Sequence, residues 1–479
     1  MHILIIGAGR IGRSVAENLV NESNDITIVD QDAERVSALE TRLDLRGVTG
    51  NALSPSVLES AGANDADMIL AVTANDETNM AVCLLASQLF NIPTRIARVR
   101  NQELRQYPRL LAEEGFQITS TIWPEQALNE SLLRLIEFPE ALQIIDFAEG
   151  KAVLFCVRAV AGSPLVGRPI GDLAVHLPHV PARIVSVFRR NRRLDISSET
   201  VIESSDEVIA LSSGRDVRRV ISELRQHEER IRRIMIAGNA RLGVQLAGLL
   251  NGPESGSFLP PNTDGRRGYT ITILDEDAAL CTSLAAAVPK DTELVTANLT
   301  DEEALTELCV DRCDLFISLS SRDENNIMGA LLAKKLGARR VIALTDSDTF
   351  SALMQGTQID VTVSSTQATI GELLRHVRRG DVLAAHSLRR GVAEALEIVA
   401  HGNKRSSKVV GKRIADIDLP EGVEIAALVR DTDDIEEPEV LIAQKDVVVE
   451  PEDRVIVFVP GKRVIPQVEK LFAVDVGFF

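Results

Sequence analysis

No uninterrupted apolar segment of this chain approaches the roughly 18 residues that a membrane-crossing helix needs, and Met1 leads straight into a strand-like run without a basic region before it. A soluble, cytoplasmic protein is expected. Cysteine is sparse and unpatterned, because Cys83, Cys156, Cys281, Cys309 and Cys313 show no CxxC spacing and no His completes a zinc set around them. Reduced core thiols fit better than disulfides. Positive charge is short as well: 52 Lys and Arg stand against 70 Asp and Glu, for a net charge of −18. That balance opposes a nucleic-acid partner, since phosphate backbones are held by clustered cations. It suits a basic surface instead.

The 479 residues are too many for one core and suit three or four domains. They also say nearly the same thing twice. Gly7-Ala8-Gly9-Arg10-Ile11-Gly12 follows the apolar run Ile3–Ile6, and Gly238-Asn239-Ala240-Arg241-Leu242-Gly243 follows Ile234–Ala237, an offset of 238 − 7 = 231. A long fixed period makes the repeated unit the fold, and two pockets of one kind suit sensing.

Around each glycine loop, short Ile- and Val-rich runs alternate with amphipathic helical patterns, the sign of a parallel sheet covered on both faces. Between and after these regions the texture turns to β-rich runs. There Pro164–Ile170 matches Lys408–Ile414 and Asp206–Ile209 matches Asp453–Ile456. The fold class expected is α/β, with two doubly wound Rossmann-like domains, each followed by a small α+β domain. The boundaries are 1–120 for the first Rossmann-like domain, 121–140 for a connecting helix and 141–229 for the first small domain. The second set is 230–363, with a flexible insertion at 251–269, then a helix over 364–384 and a small domain over 385–479. A basic turn, Arg189–Arg193, has the acidic Arg430–Glu437 in the corresponding place.

Each part of the first loop has a task. Gly7 permits the tight turn, Gly9 lets backbone approach a diphosphate, and Gly12 lets the helix pack against the sheet. The helix start supplies N–H groups and partial positive charge. Asp30 closes the next strand, 30 − 12 = 18 residues beyond the last glycine, where its carboxylate accepts ribose hydroxyls and repels a 2′-phosphate. Thr73, Ala74 and Asn75 follow another strand end, and Arg98 and Arg100 another, within reach of phosphates. The Asp-Glu-x-Asn shared by Asp76–Asn79 and Asp323–Asn326 either faces the ligand or caps a helix. In the second loop Ala240 replaces the middle glycine and Leu344 stands for Arg98, while Asp275 is kept. Ligand binding there is expected to be weaker, different or lost.

The order of modules, with the first glycine loop, Asp30, Asp76–Asn79, Arg95–Arg98 and Ser387-Leu388-Arg389-Arg390-Gly391, resembles the peripheral NAD-binding regulatory subunits of bacterial Trk-type potassium uptake systems. The resemblance covers essentially the whole chain apart from 251–269. It implies tandem RCK (regulator of potassium conductance) domains, each an N-type Rossmann-like part and a C-type part. It also implies NAD(H) as cofactor, with ATP or ADP as alternative ligands, and a homo-oligomer, expected as a tetramer. The place implied is the inner face of the cell membrane, beside a membrane-embedded potassium-translocating subunit whose flux the protein controls. By matching positions, Gly7, Ala8, Gly9, Arg10, Ile11, Gly12, Asp30, Thr73, Ala74, Asn75, Arg98 and Arg100 line the first site. Gly238, Asn239, Arg241, Leu242, Gly243 and Asp275 line the second.

Two rival readings use the same fold. An NAD-dependent oxidoreductase needs an acid or base beside the nicotinamide, and none of the seven histidines falls at a strand end of the first crevice. A redox-sensing DNA regulator needs a basic recognition element, against the charge balance. A non-catalytic sensor is the expectation.

Overall fold

The structure, a computed structural model, describes residues 1–479 except 21–23, 227, 252–267, 355–356, 378–381, 389–391, 432–438 and 475–479. Most of the expected insertion, most of the acidic turn and the end of the Ser387–Gly391 motif lie outside the described residues.

The first sheet comprises β1 (His2–Ile6), β2 (Asp25–Asp30), β3 (Arg46–Thr49), β4 (Met68–Ala71), β5 (Thr94–Arg98) and β6 (Ser120–Ile122). The strands are parallel, in the order β3-β2-β1-β4-β5-β6. Ile3 to Ile6 are all buried, so both sheet faces are covered. Helices α1 (Arg10–Leu19), α2 (Ala33–Arg42), α3 (Pro55–Ser60), α4 (Asp76–Phe90) and α5 (Pro108–Leu111) run between the strands. The order reverses between β1 and β4, which opens a crevice at their carboxyl ends. The edge strands β3 and β6 are additions to the sequence reading, and β6 crosses the expected domain end at residue 120.

After α6 (Pro124–Glu137) come β7 (Ala141–Phe147), β8 (Ala152–Arg158), α7 (Asp172–His176), β9 (Ala182–Arg189), β10 (Arg192–Arg193), β11 (Glu207–Ser213) and α8 (Val217–Leu224). These strands form an antiparallel sheet in the order β10-β9-β11-β8-β7. Arg189, from the basic turn, is engaged inside this module by Asp206 at 2.8 Å and Glu203 at 2.6 Å.

The second parallel sheet repeats the first: β12 (Arg233–Ala237), β13 (Thr270–Asp275), β14 (Thr292–Thr296), β15 (Leu315–Ser318), β16 (Arg340–Leu344) and β17 (Val361–Val363), in the order β14-β13-β12-β15-β16-β17. Its helices are α9 (Ala240–Asn251), α10 (Ala278–Leu284), α11 (Glu302–Glu307), α12 (Asp323–Leu336), α13 (Asp348–Leu353) and α14 (Ser365–Val377). The last module holds β18 (Val382–Leu388), β19 (Ala393–Val399), β20 (Glu424–Arg430), β21 (Glu439–Ile442), β22 (Arg454–Val459) and α15 (Ile465–Phe472). There β18 pairs with β19, β19 with β22 and β20 with β21, all antiparallel. The two small modules share a tight turn: Gly167 (φ +87) donates to the Ile202 carbonyl at 2.7 Å, and Gly411 (φ +77) to Val449 at 2.7 Å.

Compactness does not follow chain order. One unit gathers Met1–Ala127, Thr366–Ile425 and Val448–Phe479, and the other gathers Leu128–Ser365 and Ala426–Val447. In the second unit α6 buries Leu128, Leu132, Leu133, Leu135 and Ile136 in the core of the second parallel sheet, among Ile234, Ile236, Leu246 and Ile273. At about 2 kcal/mol per buried aliphatic side chain, this is a major docking interaction. In the first unit the return helix α14 meets β6, with His376 Nε2 2.8 Å from Ser120 Oγ.

Burial also decides the cysteine chemistry. Desolvation pushes the Cys83 and Cys313 thiols up to about 12, whereas Cys309 is exposed. Because only thiolates react, iodoacetamide at pH 8 is expected to modify Cys309 and to spare Cys83 and Cys313 until denaturant is added. Peptide mass spectrometry reads this, and comparable native-state rates at all three would contradict it.

Candidate functional site

β1 ends at Ile6, and the chain turns through Gly7 (φ +107) into α1 at Arg10. A side chain at Gly7 would be strained at that φ and would press on the Thr73 backbone at 3.1 Å. A methyl at Gly12 would lie 1.8 Å from the Gly7 carbonyl oxygen, with Ile5 next at 3.4 Å. Gly12 therefore lets the helix sit close to its own turn and to Ile5 of β1. Gly9 differs from both. Its φ is −71, and nothing lies within 4 Å of where its Cβ would be. No side-chain hydrogen bond caps α1 at Gly9, and the space where a Gly9 side chain would stand is open.

Asp30 is the last residue of β2 and already has work in the chain. Its Oδ2 accepts the Ala8 N–H at 2.6 Å and its Oδ1 the Asp32 N–H at 2.9 Å. A carboxylate offers about four acceptor positions, so these two bonds leave about two unused. Ile11 is buried, and so is Ala8. Their side chains belong to the core, and only backbone atoms of these two residues face the loop.

The rest of the mouth is cationic. Arg98, the last residue of β5, reaches the Thr73 carbonyl with Nη1 at 3.4 Å, and its buried Nε has no hydrogen-bond partner among the described residues. Burial, and then the charge of Arg100, lower its pKa, with Arg10 adding to this and Asp76 and Glu125 opposing it. A partly desolvated guanidinium with an unused donor, near two more arginines, is stabilised by an anion. Arg100 lies in the loop beyond β5, its Nη2 on the Ala74 carbonyl and its Nε 3.8 Å from Asp76. Ala74 and Asn75 are exposed, and Asn75 caps α4 by accepting the Thr78 N–H at 2.6 Å. His2 sits at the amino end of β1, away from this crevice.

The second loop starts alike and then departs. Gly238 (φ +91) makes the turn, but α9 begins at Ala240, one residue sooner after the glycine than α1 does. Asp275 accordingly holds the Ala240 N–H at 2.7 Å and the Asp277 N–H at 3.1 Å. Asn239 caps the helix with its own Oδ1, which accepts the Leu242 N–H at 3.1 Å. Ala240 is 0% exposed and Leu242 2%. Leu299, in the place of Ala52, lies 2.9 Å from a Cβ built on Gly238 and fills the space beside Gly329, where α4 has Val82. Gly243 does space the helix from the sheet, with Ile273 at 2.9 Å from its Cβ position. Arg241 and Arg322 are exposed.

Comparison with known families fits both repeats. The TrkA-N domain matches residues 3–117 and 262–365, and the TrkA-C domain residues 154–225 and 404–473. The chain is 44% identical over 479 residues to the Trk system potassium uptake protein TrkA of Halomonas elongata, covering 100% of both chains. It is 42% identical over 473 residues to the protein of that name from Vibrio alginolyticus, covering 98% of each. The chain belongs to the TrkA family. Among solved structures, the GsuK RCK domain has a TM-score of 0.58 at 19% identity, covering 98% of this chain and 95% of that one. The GsuK channel bound to NAD has a TM-score of 0.58 at 18% identity, covering 98% and 79%. These likenesses carry the fold alone.

Each TrkA-N repeat has a buried clamp that sequence reasoning missed. Asn79, 0% exposed, accepts the Thr73 N–H at 2.9 Å and donates to the Arg98 carbonyl at 2.9 Å. Asn326, also 0% exposed, accepts the Ser320 N–H at 2.6 Å and donates to the Leu344 carbonyl at 3.0 Å. The signal was present, since an Asn follows the same strand end in both halves. Asp76 and Asp323 do not cap their helices, and the buried Asp76 Oδ1 has no hydrogen-bond partner among the described residues. Asp76 accepts the Arg100 and Asn101 N–H groups at 2.8 and 2.9 Å, and Asp323 the Ser347 N–H at 2.9 Å. Asn79→Ala orphans buried backbone groups and is expected to cost about 3 kcal/mol, whereas Asn239→Ala removes one cap and is expected to cost about 1 kcal/mol. Chemical denaturation of the two variants checks the order.

Proposed function

We propose that this protein is the nucleotide-sensing regulatory subunit of a Trk-type potassium uptake system, and not a catalyst. It works on the cytosolic face of the cell membrane, as a homo-oligomer with four chains as its working state, against a membrane-embedded potassium-translocating subunit. The observation that carries this reading is the mouth of the first sheet. There the helix start has no side-chain cap and open space at Gly9, while the buried Arg98 Nε, on a side chain that reaches the Thr73 carbonyl beside Gly7, has no hydrogen-bond partner among the described residues. The full-length likeness to potassium uptake proteins supports the system to which it belongs.

NAD(H) is the ligand this mouth suits, with ATP or ADP as alternatives. The backbone of Gly7 to Gly12 receives the diphosphate, and Asp30 keeps its loop bonds while accepting the ribose hydroxyls. Its charge repels a 2′-phosphate, which favours NAD(H) over NADP. Arg10, Arg98 and Arg100 meet the phosphates. Their mutual repulsion is relieved when an anion lies among them, so the bound arrangement differs in energy from the empty one. Only such a difference lets a ligand shift the state of a partner.

Gly9→Ala tests the reading cleanly, because its φ is compatible with alanine and no atom of the protein is in the way. It is expected to fold with stability within about 1 kcal/mol of wild type and to bind NADH and ADP at least tenfold more weakly, about 1.4 kcal/mol. Calorimetric titration measures the affinities, and potassium flux in vesicles holding the membrane partner measures the consequence. Wild-type protein that binds no nucleotide, or flux indifferent to nucleotide, would overturn the proposal.

A further inference from the structure

The two glycine loops meet the same physical problem, a helix start with orphan N–H groups at the carboxyl edge of a parallel sheet, in opposite ways. In the first, no side chain caps the helix and the position of a Gly9 side chain is empty space. In the second, the chain answers its own donors: Asn239 Oδ1 takes the Leu242 N–H at 3.1 Å and Asp275 Oδ2 takes the Ala240 N–H at 2.7 Å. The Ala240 methyl, at the position of Gly9, is wholly enclosed, and Leu299 lies against Gly238.

We infer that the second loop is closed by the chain's own groups and accepts no nucleotide diphosphate, so that each chain carries one nucleotide, at Gly7–Gly12. The inference rests on the nucleotide binding proposed above and assigns its stoichiometry and place. A diphosphate at the second loop would have to displace the Asn239 side chain from Leu242 and approach past an enclosed methyl group. It would find Leu344 where the first mouth has Arg98. Arg241 and Arg322 are the cations left nearby, and both are exposed to solvent. Charges in that setting attract anions weakly and without shape. One Rossmann-like domain is then the switch, and the other is a fixed frame whose helix start is already satisfied.

Titration calorimetry of the full-length protein with NADH, and separately with ADP, tests this. Wild type is expected to bind one nucleotide per chain. Arg98→Ala is expected to weaken binding at least tenfold, and the double variant Arg241→Ala, Arg322→Ala to keep one site within twofold of wild-type affinity. Two nucleotides per chain would overturn the inference. So would a single site that the double variant weakens tenfold while Arg98→Ala leaves it intact. Wild type that binds neither nucleotide would refute the nucleotide reading itself and would agree with a closed second loop.

Discussion

One charge-assisted hydrogen bond governs the mouth of each parallel sheet: a backbone N–H of the glycine turn donated to the carboxylate that ends the second strand. Such bonds are short and about twice as strong as neutral ones. Where Asp30 takes the Ala8 N–H, the turn stays open by one more residue, Gly9 borders free space and α1 starts uncapped. Where Asp275 takes the Ala240 N–H, the helix begins sooner and the turn is filled. Two carboxylates of the same kind at the same place thus yield an open cradle and a shut one, according to which amide each holds.

Behind that bond lies a second constraint, the buried asparagine of α4. Asn79 joins the Thr73 end of β4 to the Arg98 carbonyl. Arg98 is therefore anchored through its carbonyl to the helix start at its back, and Asp76 grips the next turn of chain through Arg100 and Asn101. Any shift of the Arg98 backbone has to be shared with α4, because the interior is close-packed and yields in steps rather than continuously.

Much of this was legible in the residues, for reasons that also explain the gaps. The central strands read plainly because Ile3–Ile6 and Ile234–Ala237 are unbroken apolar runs, and the loops read plainly because few residues other than glycine tolerate the φ of Gly7 and Gly238. Edge strands did not. β3 is Arg46-Gly47-Val48-Thr49, with none of its residues buried, and β6 is a stretch of only Ser120–Ile122. Asp76 and Asp323 looked like N-caps because an aspartate at a helix start often is one, and nothing local says that the Asn79 and Asn326 side chains turn inward. Ile11 and Leu242 were read with the pocket by position, while their apolar side chains went to the core. The shift of the α9 start depends on a hydrogen bond between residues 35 positions apart, Ala240 and Asp275, which no local pattern encodes.

The compact units are the feature with the longest reach. The unit that holds the first parallel sheet draws on residues 366–425 and 448–479, and α6 leaves that sheet to bury its leucines with strands beyond residue 230. Neither repeat completes itself with its own following segment. A single copy of the repeat, standing alone as a shorter chain, would leave the apolar face of α6 in water. The tandem chain keeps the segments that complete each unit on one polypeptide, so each unit meets its missing part at a high effective concentration.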